Sequence, residues 1–160
     1  MKKLIAIVFF AITSIAICAT TQAQTNTLFG VSLEMPVSEF TSTLSAKAND
    51  IASMAKVKKC KIEVNKYVPG ETTTVCYVEI TLDYKATESE TAYAMLRSIL
   101  NSKYNQNTER LVRLPIPKEG LFWRTPFGEV ALYKVSDTIG IRVFNYNAIN
   151  TAFNELSNAL

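Results

Sequence analysis

Apolar positions recur along the chain with two periods, and their alternation divides it into helices and strands. Phe40, Leu44 and Ala48 share one stripe of a helix predicted over Ser38 to about Asn49, with Pro36 suited to its first turn. Ile51 and Ala55 continue that stripe toward Lys56. The run "KCKIEVNKYVPGETTTVCYVEITLDY" alternates instead. Cys60, Ile62 and Val64 point one way on a first strand, and Cys76, Val78, Ile80 and Leu82 share a face of a second, about a Pro69-Gly70 turn. A second helix is expected from Thr87, spaced from Glu90 as a capping box, with Ala92, Met95, Leu96, Ile99 and Leu100 on its apolar stripe. Lys103 then suits the helix dipole and Asn105 the C-terminal cap.

"RLVRLPIP" reads as a short strand that its two prolines confine to an edge or terminate. "FGEVALYKV" and "IGIRVFNY" form a second hairpin through Ser136-Asp137-Thr138. From Asn147 as N-cap, Ile149, Phe153, Leu156 and Leu160 repeat at helical spacing and predict a closing helix. The expected fold class is α+β: an antiparallel sheet from two hairpins plus a short strand, covered by about three helices.

The first residues follow neither period. Lys2 and Lys3 precede an apolar run from Leu4 to Ala19, and Thr21-Gln22-Ala23 offers small residues to a signal peptidase, so residues 1–23 read as a signal peptide cleaved after Ala23. The run is short for a membrane anchor, which needs about 20 apolar residues. Lipidation at Cys18, leaving a structural lipoprotein, is the other alternative, although Ile17 stands where the processing enzyme takes a small residue. Residues 24–160 then form a single α+β domain, exported to the periplasm or secreted, with no transmembrane helix in the mature chain.

Loss of Lys2 and Lys3 lowers the Lys and Arg count from 17 to 15 against 14 acidic residues, a formal charge of +1 instead of +3. Such a domain has no electrostatic reason to bind nucleic acid. Export also frames Cys60 and Cys76 as an even pair in an oxidising compartment. If Asn65 pairs with Glu71 across a five-residue loop, Cys60 falls opposite Cys76 and a disulfide can form. Two buried free thiols are the alternative.

"LFGVSLEMPVSEFTSTLSAK", "LRSILNSKYN" and "GEVALYKVSDTIGIRVFNYNAIN" together resemble small exported proteins of unknown function common in Bacteroidetes-type bacteria. The resemblance rests on an F-x-G-hydrophobic opening before a helix ending in L-x-x-K, a middle helix ending near K-Y and a late strand ending in an aromatic before Asn. Leu28 stands where the opening Phe belongs, and Ala48 where a glycine is expected. The resemblance implies export and an α+β fold, and supplies no catalytic residues.

The chain has no histidine, which removes Ser-His-Asp and Cys-His nucleophilic sites and the usual His-containing zinc sites. Its mature glycines, at 30, 70, 120, 128 and 140, are isolated and form no phosphate loop. No metal, cofactor or catalytic residue is expected. Glu88 and Glu90, two apart at a helix start, point in different directions and suit the dipole. Lys56, Lys58, Lys59 and Lys61 read as solvating a helix end and blunting a strand edge, or else as gripping an anionic partner.

The candidate ligand-binding stretch is "GLFWRTPFGEV", with Phe122, Trp123, Arg124 and Phe127. Glycines bracket it and Pro126 interrupts it, which argues against a regular central strand. Trp and Arg are enriched at binding hot spots, and tryptophan faces stack on sugars. The competing reading, and the one favoured, buries Trp123 in the core. The function expected is a non-enzymatic binding or interaction domain of the bacterial cell envelope, recognising a protein or a glycan. The alternatives are a histidine-free, carboxylate-dependent hydrolase of envelope polymers and the lipoprotein tethered through Cys18.

Overall fold

The computed structural model of the chain describes residues 26–57, 59–66, 68, 72–104, 107–112 and 118–159. The expected signal peptide and cleavage site with Cys18, Lys58, the expected Pro69-Gly70 turn, Glu71, Asn105, the prolines at 115 and 117, and Leu160 lie outside the described residues.

Strands β1 (Thr27–Leu28) and β2 (Val31–Ser32) form a small antiparallel hairpin. Phe29 and Gly30 between them both take positive φ (51° and 74°), the backbone a two-residue hairpin turn requires. Two helices follow where one was expected, α1 (Val37–Ala46) and α2 (Ala48–Ala55), parted at Lys47. The Lys47 ammonium reaches back to donate to the Phe29 carbonyl at 3.1 Å, which ties the helix junction to the β1–β2 turn. Lys56 ends α2 in the left-handed region.

A six-stranded sheet is built from β3 (Lys59–Val64), β4 (Tyr77–Asp83), β5 (Thr108–Val112), β6 (Lys118–Thr125), β7 (Gly128–Val135) and β8 (Thr138–Asn145). Its order is β3-β4-β8-β7-β6-β5 and every neighbouring pair is antiparallel. Helix α3 (Ala86–Tyr104) connects β4 to β5, and α4 (Tyr146–Ala159) follows β8. The fold is therefore mixed α+β.

The β3–β4 hairpin keeps the expected faces but not the expected register. Cys60 stands opposite Leu82, and Asn65 faces Tyr77 instead of Glu71. Cys76 lies six residues from Leu82 along an extended chain, about 20 Å, whereas a disulfide needs Cα atoms within about 7 Å. Both thiols are free, Cys60 half-buried and Cys76 buried, so the disulfide expectation is corrected.

The cause is the side chain of Asn65. Its Oδ1 accepts from the backbone N–H of Cys76 and Tyr77, and its Nδ2 donates to the Thr72 hydroxyl and the Thr74 carbonyl. Segment 72–76 consequently leaves the hairpin. It pairs Thr74 with Pro36 and accepts from the Val37 N–H through the Thr73 carbonyl, clasping the start of α1.

One sheet face is the main core. Val78, Ile80 and Leu82 from β4, Ile139, Ile141 and Val143 from β8, Val130 and Leu132 from β7, and Leu121 and Trp123 from β6 meet Phe40, Leu44 and Ile51 from α1 and α2. Ala92, Tyr93, Leu96, Leu100 and Tyr104 of α3 pack against the same cluster. Two helix starts differ from expectation. Helix α3 begins at Ala86, and Glu90 is drawn from any capping box into an ion pair with Lys134 at 2.7 Å. Helix α4 is capped by Asn145, whose Oδ1 accepts from the Ala148 N–H, rather than by Asn147. From Phe153 to Asn158 the side chains of α4 are exposed, so Phe153 and Leu156 are not core residues.

The opposite face carries a smaller apolar cluster of Phe122, Ala131, Tyr133 and Phe144 beside a buried polar group. Glu79 Oε1 accepts from Arg142 Nε at 2.8 Å and from the Tyr133 hydroxyl. The Arg142 guanidinium lies 4.8 Å from the Tyr133 ring centroid. Tyr133 is paired with Gly140, and its ring occupies the space a Cβ there would need. Burial opposes the charge of Arg142, yet Glu79 and the neighbouring tyrosines hold its pKa above the ordinary value.

Candidate functional site

The residues singled out in the aromatic stretch are not assembled into a platform. Strand β6 is a regular inner strand between β5 and β7, and Pro126 sits in the turn that follows it, where its missing N–H costs no ladder bond. Alternation sends Trp123 to the main core and Phe122 to the smaller cluster. Trp123 is 0% exposed, and its indole N–H donates to Asn101 Oδ1 of α3 at 2.9 Å, so its ring braces the helix against the sheet. Phe122 is buried and Arg124 is exposed on its own. Phe127, in the β6–β7 turn, lines a space that can hold another molecule.

That space is an apolar cavity of about 380 Å³ between α2, α3 and the middle of the sheet. Its floor is Leu82 of β4, Ile141 and Val143 of β8 and Val130 of β7, four aliphatic side chains of the main core. Ala92, Met95, Leu96, Ile99 and Leu100 of α3 form one wall, Ile51 and Ala55 of α2 the other. Thr27, Leu28 and Phe29 of the β1–β2 hairpin cover part of it. Binding sites for small molecules typically enclose about 300–1,000 Å³ with mostly apolar walls and a few polar groups.

The polar groups at this cavity are few and lie toward its ends. Glu88 and Tyr84 stand where α3 begins, Lys56 where α2 ends, and Lys103 and Tyr104 where α3 ends. Burial pushes the phenols of Tyr84 and Tyr104 up to about 12, so both remain hydroxyl donors at neutral pH; nearby Cys60 and Glu88 add to the effect on Tyr84. Lys103 is exposed as a residue, and partial desolvation of its ammonium pulls it below the ordinary lysine value.

The α3 stripe was legible from its spacing. The gap beneath it was not, because the gap arises from two helices straddling medium-sized residues contributed by distant strands. Of the lysines near Cys60, Lys56 lines the cavity and Lys58 lies outside the described residues. Lys59 and Lys61 are exposed on the edge strand β3, and Lys61 pairs with Glu63 at 3.0 Å. Glu88 lines the cavity whereas Glu90 pairs with Lys134, so the two do not converge.

Among the described residues no group of His, Cys, Asp and Glu side chains could hold a metal ion, and no helix is long and apolar enough to cross a membrane. Comparison with protein-family models, curated proteins and solved structures finds no match to this chain.

Proposed function

We propose that the chain is an exported, non-enzymatic binding domain of the bacterial cell envelope, and that its ligand is an apolar small molecule held between α3, α2 and the sheet. The observation that carries this reading is the 380 Å³ cavity with its mainly apolar lining. Water in such a space gains few hydrogen bonds, and an apolar occupant removes both its own surface and that of the walls from solvent. This occupant replaces the glycan first associated with Trp123, whose ring is sealed in the core.

The buried carboxylates support binding over hydrolysis. Glu79 is held by Arg142 and Tyr133, and Glu129 accepts a hydrogen bond from Tyr146 at 2.6 Å. An acid engaged in this way is a poor general base.

Titration with N-phenylnaphthylamine, an uncharged dye that brightens in apolar surroundings, tests the reading. The purified protein is expected to bind the dye saturably. Ala92→Phe, which places a ring in the cavity from the α3 wall, is expected to weaken binding about tenfold or more, the cost of excluding the dye from its site. Absence of saturable binding, or equal affinity in Ala92→Phe, contradicts the proposal.

A further inference from the structure

The cavity follows α3, whose lining positions run from Thr87 to Tyr104, about 26 Å at the helical rise. Its two ends differ in charge. Where α3 begins, Glu88 and the α2 terminator Lys56 line the same space, and the pairing of Lys59 with Asp83 brings their two chain segments to one end of the sheet. One negative and one positive group there offset each other. At the other end, beside the β6–β7 turn, stand Lys103 and Tyr104. Glu88 is 15 residues away along the helix, about 22 Å.

Lys103 has no acidic partner among the described residues. Its ammonium lies 5.1 Å from the Tyr104 ring centroid. Resting on the ring recovers part of the hydration that partial burial removes. An anion recovers more, since a charge-assisted hydrogen bond is about twice as strong as a neutral one. Tyr104 offers a protonated hydroxyl in the same turn.

We propose that the cavity takes a single-chain amphiphile with an anionic head, such as a fatty acid, its hydrocarbon chain lying along α3 and its head at the Lys103–Tyr104 end. The inference rests on the cavity being a ligand site. The competing role for Lys103 is to complement the dipole at the end of α3, which would affect all ligands alike.

Competition with N-phenylnaphthylamine by laurate, dodecanol and dodecyltrimethylammonium, each below its micelle-forming concentration, separates the possibilities. Laurate is expected to displace the dye at about tenfold lower concentration than dodecanol, the worth of one charge-assisted hydrogen bond, with the cationic chain weakest. Lys103→Met is expected to abolish the advantage of laurate and leave dodecanol unchanged, while Lys103→Arg retains it. Lys103→Gln is read in parallel, so that a folding defect in one variant does not decide the result. Equal displacement by laurate and dodecanol, or a laurate advantage that survives loss of the charge, overturns the head-group assignment while the cavity remains a ligand site. A uniform loss for all three chains in both neutral variants assigns Lys103 to the helix and overturns it too. Failure of the dye and every chain to bind overturns the underlying reading and this one with it.

Discussion

A Cβ on Gly140 would come within 2.0 to 2.4 Å of the Tyr133 ring, so Gly140→Ala must push that ring off the strand. The displaced ring takes with it the hydroxyl that serves Glu79 and the face on which Arg142 rests. We expect Gly140→Ala to destabilise the protein by about 2–3 kcal/mol in denaturant unfolding. The double variant with Tyr133→Ala should cost less than the two single changes together, because the steric conflict disappears with the ring. Additive losses would show that ring and glycine are not coupled. Alternation alone placed Tyr77 and Glu79 on the face opposite Val78 and Ile80, as observed. It could not pair Glu79 with Arg142, 63 residues away, because that depends on β4 lying beside β8. Asn65 illustrates the same limit. In the sequence it entered only as the expected partner of Glu71, whereas its amide sets the hairpin register by binding backbone from a loop that also clasps α1.

At the scale of elements, the β3–β4 hairpin separates what periodicity can establish from what it cannot. The expected and observed registers both keep the apolar sets on one side, since they differ by an even number of residues. Loop length decides between them, and here the Asn65 amide, with the Thr74–Pro36 bridge, holds residues 72–76 outside the ladder, which lengthens the loop and parts the cysteines. Intact-mass analysis of the protein recovered from its native host after alkylation in denaturant, without reductant, should therefore show two modified thiols, and the proposed export requires a chain that begins at Gln24. A single species lacking two hydrogens would restore the disulfide, and an acylated chain beginning at Cys18 would replace signal cleavage with lipoprotein processing. In the folded protein Cys60 should react before Cys76, though slowly, because burial holds its thiol above the ordinary value. Helix α4 was legible as a helix and misread as a core element. Helical spacing reports an apolar stripe but not what it meets, and Phe153 and Leu156 are 56% and 41% exposed. Strand β6 shows the reverse error. Pro126 argued against a regular strand, yet it stands one residue past the strand's end.

For the molecule as a whole, the tyrosines set an alkaline limit. Burial, joined for Tyr133 by its bond to Glu79, holds Tyr84, Tyr104 and Tyr133 up to about 12 and Tyr77 higher still. An unfolded tyrosine ionises near pH 10. Between those values the folded chain keeps protons that the unfolded chain has lost, so their stabilising contribution is complete below about pH 10 and disappears as pH rises toward 12. The part of the tyrosinate absorbance that these four contribute should accordingly rise together with the loss of far-ultraviolet circular dichroism, in one cooperative step in that interval. Ionisation of all seven tyrosines with the fold intact would contradict the burial. The strand order has a further consequence, in time rather than space. Strand β4 is flanked by β3, which precedes it, and by β8, whose paired residues follow it by 55 (Asp83 with Thr138) to 67 (Tyr77 with Phe144) positions. A chain emerging from its N-terminus, from a ribosome or through an export channel, thus presents one open edge of β4 until the last strand arrives. Assembly is closed by its final piece, and an unfinished copy offers the ladder of unpaired backbone groups on which chaperones and aggregates compete.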